Sequence, residues 1–365
     1  MILSHKEIGR VSFVAAIFVI FPLRNMLGQG VEETIVRRHI LVSEVDERAT
    51  ANVRLSSPHV LAAHIQGASE KAAALNSENN RRRSEDLGTQ EETDVPAPRA
   101  ALVKPSFYPA DLSKGSGVTL TTAVNHAVYV NYKGSISANW GNPEAFLSDL
   151  FKDKFIHLTD QYTGRTSPGR YSRGESASVT YPLYGNVLYE HELWAIVHSV
   201  AKAVGFGSGT GHIYHIFLPK DMDTCLDEKM QCYSPDNFNA WVFCAYHDAI
   251  DFGDSDIGVV FFTVEPYQGV DGCAVTQPYA NGKLIDSTNS TLSHETFETI
   301  TDPLAPTGWT NTTTFPETGN EVADECQPPQ NSYGNFRVPI FLINGRKYQV
   351  QLEYSNTYHA CAAEP

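Results

Sequence analysis

The sequence predicts an α+β domain with a mixed sheet over residues 105–365. Three observations carry that expectation. From Phe107 onward, runs of strand character and runs of helical period follow one another without the strict alternation of a βαβ chain. No Phe, Tyr or Trp occurs between Phe21 and Phe107, so the aromatic material of a core begins at that boundary. The chain is 42% hydrophobic and 11% aromatic, enough to fill such a core.

Taken in order, the chain opens on Lys6 and Arg10, followed by the apolar run Val11 to Leu23. Thirteen residues are short for a bilayer span and suit a signal-peptide core, with small residues at Gly28 and Gly30 where cleavage would fall. Residues 1–30 are therefore expected to be a signal peptide; an uncleaved anchor through residues 11–23 is the alternative. Residues 31–104 read as a disordered linker or pro-segment, because text such as "SENNRRRSEDLGTQEETDVPAPRA" buries too little apolar area to offset its ordering entropy. Within it, "HVLAAHIQGASEKAAALN" is expected to form a loosely held helix, and Arg81–Arg82–Arg83 is either a processing site or a solvated charge run.

Beyond Phe107, "HAVYVNYKG" predicts a strand and "NPEAFLSDLFKDKF" a helix starting near Pro143. "YEHELWAIVHSVAKAVG" predicts a second helix stopped by Gly205, with His191 and His198 on its exposed side. Three strands are expected in "HIYHIFLPK", "AWVFCAYHD" and "IGVVFFTVEPY". A helix from about Leu284 to Ile300 follows, and "RVPIFLI" and "KYQVQLEYS" close a hairpin over Asn344-Gly345.

Charge and cysteine usage bound the function. The net charge of −15 argues against a nucleic-acid partner, which demands a basic face. The six cysteines, an even number with no CxxC spacing, point to disulfides in an oxidising compartment rather than a thiolate metal site. The expected pairs are Cys225–Cys232, Cys244–Cys273 and Cys326–Cys361. Two sequons, at Asn289 and Asn311, offer glycan acceptors in a secretory host.

The chemistry concentrates in "TLSHETFETITDPLAPTGW", Thr291 to Trp309. On a helix, His294 and Glu298 share a face at i and i+4, so one imidazole nitrogen and one carboxylate would grip the same divalent cation. Glu295 projects to the neighbouring side, in the slot of the general base that acts on metal-bound water in the HExxH arrangement. Asp302 precedes Pro303 and is expected in the turn that ends the helix. A third ligand is sought in "TGNEVADEC", where Glu321 is favoured and Asp324 is the alternate. His247, in "FCAYHD", is read as a structural histidine, with a place lining the metal cleft as the alternative.

Together, "FNAWVFCAYHD", "GVVFFTVEPYQGVDGC", "TLSHETFETITDP", the Gly-Trp pair and "GNEVADEC" resemble a family of secreted bacterial and fungal proteins. These carry an HExxE helix running into Thr-Asp, then Gly-Trp, then Glu-x-x-Asp-x-Cys. That family is similar in turn to the plant EXORDIUM, or phosphate-induced, proteins, and both are placed near the zincin-type metallopeptidases. The resemblance spans about residues 120–363. It implies a zincin-like domain holding zinc through His294, Glu298 and Glu321 or Asp324, with Glu295 as base.

The function expected is a secreted zinc-dependent hydrolase, a metallopeptidase acting on peptide or protein substrates outside the cell, with no stable membrane insertion once the signal is removed. The strand in "VVFFTVEPY" would accept an extended substrate as an added strand. The alternative is a non-catalytic extracellular binding or signalling module on the same scaffold.

Overall fold

The computed structural model describes residues 16–19, 37–41, 53–54, 59–62, 111–132, 140–181, 186–226, 231–253, 255–311, 321–327 and 338–365. Its centre is a ten-stranded mixed sheet. The strands are β1 (Ala16–Val19), β2 (Arg37–Leu41), β3 (Val53–Arg54), β4 (His59–Ala62) and β5 (Ala123–Tyr132). They continue with β6 (Tyr171–Arg173), β7 (Ser176–Tyr181), β8 (His212–Phe217), β9 (Phe243–Asp251) and β10 (Val259–Glu265). The order is β1-β2-β7-β5-β8-β10-β9-β3, with β4 also on β9 and β6 on β5. Strands β2, β7, β5, β8 and β10 run parallel, and β9 returns antiparallel to β10. The α+β class expected from the sequence is thus present as a mixed sheet with helices.

Alternation along the strands divides the sheet into two faces. Val128, Val130, Tyr214, Ile216, Tyr246, Ile250, Phe262 and Val264 pack in one core with Leu193, Ile196, Val197 and Val200 of helix α2 (Glu190–Val204). The intervening residues Ala127, Tyr129, Ile213, Phe217, Ala249 and Phe261 pack in a second core. That core also holds Phe146 and Leu147 of helix α1 (Pro143–Leu150) and Leu292, Phe297 and Ile300 of helix α3 (Lys283–Thr301). The odd-numbered positions of β8 and β10, and those of β9 from His247 on, therefore lie on the side of the sheet that carries α3, whereas Phe243 and Ala245 pack with the other core.

Helix bounds follow local chemistry. Asn142 caps α1 by accepting from the Ala145 amide, and Pro143 occupies the first turn, where its missing N–H costs nothing. Gly205 ends α2 with φ of 66°, a left-handed turn that glycine adopts without a Cβ clash. The expected hairpin is present as Ile340–Ile343 paired with Arg346–Gln349, turning through Asn344 and Gly345 at φ of 47° and 78°. All three expected disulfides form: Cys225–Cys232, Cys244–Cys273 and Cys326–Cys361. No described helix is long and apolar enough to cross a membrane.

Several expectations are corrected. The segment 31–104 is not wholly unstructured: β2 joins β7, while β3 and β4 join the outer edge of β9. "HILV" and "HVLA" are short apolar runs, and an open strand edge supplies the hydrogen-bond partners that such runs need. "HVLAAHIQGASEKAAALN" begins as strand β4 rather than as a helix, and its remainder lies outside the described residues. Strand β1 falls within the apolar run read as a signal-peptide core and pairs antiparallel with β2. Gly28, Gly30 and Arg81–Arg83 lie outside the described residues. Strand β10 is flanked by β8 and β9, so it has no free edge on which to receive a substrate strand. The sequon residues Asn289 and Asn311 are 2% and 1% exposed, leaving no room for a glycan on the folded chain.

Candidate metal centre

Helix α3 is polar yet interior: every residue from Asp286 to Thr301 is buried. Three devices make this tolerable. Asp286 anchors the start, its carboxylate accepting the amides of Ala280 and Asn281 at 2.7 and 2.8 Å. Thr296, Thr299 and Thr301 each donate their hydroxyl to the carbonyl four residues back, at 2.6, 2.6 and 3.0 Å, so these buried hydroxyls find partners within the helix. Leu292, Phe297 and Ile300 supply the apolar stripe against the sheet. The ionisable side chains of its second half, His294, Glu295 and Glu298, are each 0% exposed and face neighbours from three other segments.

The first neighbour is the turn Glu321–Gln327. It is fixed by four contacts: the Tyr354 amide donates to the Val322 carbonyl (2.9 Å), and the Gln351 amide group donates to the Ala323 carbonyl (2.7 Å). The Asp324 amide lies 3.3 Å from Glu298 Oε1, and Cys326 is bridged to Cys361. Gln327 donates to Asp324 Oδ1 at 2.7 Å and sets that carboxylate's orientation. The second neighbour is β9, whose odd-numbered His247 projects toward α3. The third is the segment after the C-terminal hairpin, which brings Gln351 and Glu353.

These pieces form two ligand triads that share a residue. His294, Glu298 and Asp324 offer one ligand atom each, all within 4.8 Å of one another; so do His247, Glu298 and Glu321. His294 Nε2 lies 3.1 Å from Glu298 Oε1 and 3.6 Å from Asp324 Oδ1. His247 Nδ1 lies 3.6 Å from Glu298 Oε2 and 3.4 Å from Glu295 Oε2, and its Nε2 lies 3.7 Å from Glu321 Oε2. The buried His, Glu and Asp groups of this cluster are thus able to hold a metal ion.

The hydrogen bonds fix which nitrogen of His294 faces the cluster. Gln351 spends its amide N–H on Ala323, so its Oε1 turns to His294 Nδ1 at 3.2 Å. An amide oxygen only accepts, so Nδ1 carries the proton and Nε2 of the neutral ring presents a lone pair toward two carboxylates. Among the described residues Nε2 has no aligned hydrogen-bond partner. Two species satisfy that arrangement: a proton or a metal ion between Nε2 and the carboxylates. Burial alone disfavours charge on His294, but Glu298 first, then Glu295 and Asp324, outweigh it and hold the imidazole up at about 10. Burial raises Glu353 well above the usual carboxylate range, helped by Glu298 and Asp324, and lifts Glu325 to about 9. The same negative field that charges the imidazole would attract a cation.

A polar row on the sheet supports this floor. His215 Nε2 meets Asn125 Oδ1 at 2.9 Å, its Nδ1 meets Thr263 Oγ1 at 3.0 Å, and Thr263 is 2.9 Å from Glu265 Oε1. Burial lifts Glu265 to about 8 and depresses His215 to about 3. A protonated Glu265 donating to Thr263, which donates to His215, which donates to Asn125, satisfies each of these contacts.

Of the residues singled out by the sequence, His294, Glu298 and Asp324 come together, and Glu321 groups with His247 instead. Glu295 sits beside them, against His247. Asp302 ends α3, where its Oδ1 accepts the Thr307 and Gly308 amides at 3.1 and 2.6 Å and its carbonyl lies 3.2 Å from His247 Nε2. Of the two readings of His247, this placement favours the one that lines the cleft, since it groups with Glu298 and Glu321; its parity on β9, shared with Ala249, marks it in the sequence. Gln351 was missed, because nothing in its sequence neighbourhood sets it apart. His198 is 6% exposed rather than on an open face, and pairs with Asp256 at 2.6 Å, away from both triads. No protein-family model, no curated protein and no solved structure matches the chain.

Proposed function

We propose that this chain is a secreted zinc-dependent hydrolase of zincin-like type that cleaves peptide bonds. The observation that carries the reading is His294 Nε2 turned onto Glu298 and Asp324, at 3.1 and 3.6 Å, with Glu295 one residue along the same helix. Imidazole and carboxylate are the ligand types zinc accepts, and three protein ligands are what a catalytic zinc takes. Zinc bound there would acidify a water and polarise a substrate carbonyl. Glu295 takes the proton from the attacking water and returns it to the departing amine nitrogen. His247 stands beside that carboxylate, its Nδ1 3.4 Å from Glu295 Oε2. Gln351 keeps His294 in the tautomer that leaves Nε2 open. Three disulfides and the apolar N-terminal run support export to an oxidising compartment.

A second reading has its own support. His294, Glu295, Glu298, Glu321 and Asp324 are each 0% exposed, and a closed site is the mark of a structural metal rather than a catalytic one. The chain would then be an extracellular binding module stabilised by an ion. One experiment separates the two. The purified secreted protein is assayed for zinc and for cleavage of a broad peptide library, beside Glu295→Gln. The hydrolase reading expects bound zinc in both proteins and a loss of about 10²–10⁴-fold in cleavage for the variant. Zinc in the wild type with no cleavage across the library leaves the binding module.

A further inference from the structure

We propose that the centre is built for two divalent cations bridged by the Glu298 carboxylate. One cation lies among His294, Glu298 and Asp324, the other among His247, Glu298 and Glu321. The inference deepens the metal-dependent reading above, which needs only one ion.

The geometry at Glu298 carries it. Its two oxygens are divided between the two imidazoles: Oε1 is 3.1 Å from His294 Nε2, and Oε2 is 3.6 Å from His247 Nδ1. A carboxylate serving one ion would turn both oxygens, or one, to a single centre. Here each oxygen lies nearest a different imidazole, and in both triads the ligand atoms all lie within 4.8 Å of one another. A bridging carboxylate of this kind holds two ions about 3.5–4 Å apart in two-metal hydrolytic centres.

The two rings are prepared in the same way. His294 commits Nδ1–H to the Gln351 amide oxygen at 3.2 Å, and His247 commits Nε2–H to the Asp302 carbonyl at 3.2 Å. Both partners are oxygens that only accept, so the other nitrogen of each ring, Nε2 of His294 and Nδ1 of His247, is the one turned toward Glu298. A ring N–H fixed to a carbonyl is the usual support of a metal-ligating histidine. Nε2 of His294 is fully buried, has no aligned hydrogen bond among the described residues, and faces Glu298 Oε1 at 3.1 Å and Asp324 Oδ1 at 3.6 Å, so that a cation between them would meet all three.

Charge agrees in sign. Glu295, Glu298, Glu321 and Asp324, with Glu353 beside them, place more than two carboxyl groups at 0% exposure in one cluster. One divalent cation offsets the charge of only two carboxylates. Buried charges are costly unless compensated at close range.

The test uses the full secreted chain, stripped with chelator and titrated with Mn²⁺ alone. Bound metal is counted per chain and the electron paramagnetic resonance spectrum is recorded at saturation. The expected result is two Mn²⁺ per chain with the spectrum of an exchange-coupled pair. His247→Asn should bind one Mn²⁺ with an isolated-ion spectrum; Glu321→Gln serves the same purpose if that variant does not fold. One Mn²⁺ at saturation in the wild type, two without coupling, or two retained in a folded His247→Asn protein would each overturn the pair. A single bound ion leaves the hydrolase reading standing, and failure to bind any ion ends both. Two coupled ions in a protein that cleaves no peptide uphold the pair and remove the peptidase.

Discussion

Replacing Gln351 by Leu tests the tautomer argument directly. The side chain is 3% exposed and close in volume to leucine, so the change removes polar contacts with little change of shape. Two contacts disappear: His294 Nδ1–H to Oε1 at 3.2 Å, and the amide N–H to the Ala323 carbonyl at 2.7 Å. Each leaves a buried partner unmet, at about 1–3 kcal/mol apiece, so the metal-free protein should lose about 2–6 kcal/mol. The larger interest is the metal. Removing the group that orients a ligating histidine lowers affinity about 10–100-fold, equivalent to about 1.4–2.7 kcal/mol. Urea melts in chelator measure the first quantity, and zinc competition against a chelator of known affinity measures the second. A variant that loses stability in chelator yet holds zinc as tightly as the wild type would refute the claim that Gln351 presents Nε2 of His294.

Three further outcomes are expected. Burial, with His212 adding to it and the Glu175 carbonyl opposing it, depresses His126 from 6.5 to about 4. The unfolded chain therefore takes up a proton below pH 6.5 that the folded chain refuses until about pH 4, so this contribution is complete above 6.5 and lost between the two values. It amounts to roughly 3 kcal/mol, and His126→Phe should shrink the stability difference between pH 7 and 4.5 in urea melts. The Cys326–Cys361 bridge closes a separation of 35 residues and tethers the Glu321–Gln327 turn, so replacing both cysteines by serine should cost about 4 kcal/mol and weaken zinc binding. Removing Cys225–Cys232, which lies away from the centre, should leave zinc affinity unchanged in the same competition.

Much of the scaffold was legible because its signals are local. Pro143, Gly205 and Asn344-Gly345 mark their helix start, helix stop and hairpin without help from distant residues. The HExxE helix was equally plain, since i and i+4 share a face whatever surrounds them. The rest of the centre depends on long-range placement. Asp324 rather than Glu321 joins His294 because the turn between Glu321 and Gln327 is held by Tyr354, Gln351 and Cys361, all distant in sequence. His247 lies 47 residues before His294 on a strand whose neighbours are nearly all buried, so its polarity gave no spacing rule to follow. The resemblance to secreted HExxE proteins pointed to the helix and the acidic turn, but it named neither His247 nor Gln351.

The docking of β3 and β4 has a consequence for how β9 meets the outside of the molecule. In the register of this pairing, His247 stands opposite His59, so the strand that brings His247 to the candidate centre is also the strand capped by the N-terminal segment. Were that segment cut away downstream of β4, β9 would become the rim of the sheet. Its free amides and carbonyls would then lie beside the buried carboxylates, open to any extended polypeptide able to zip onto them.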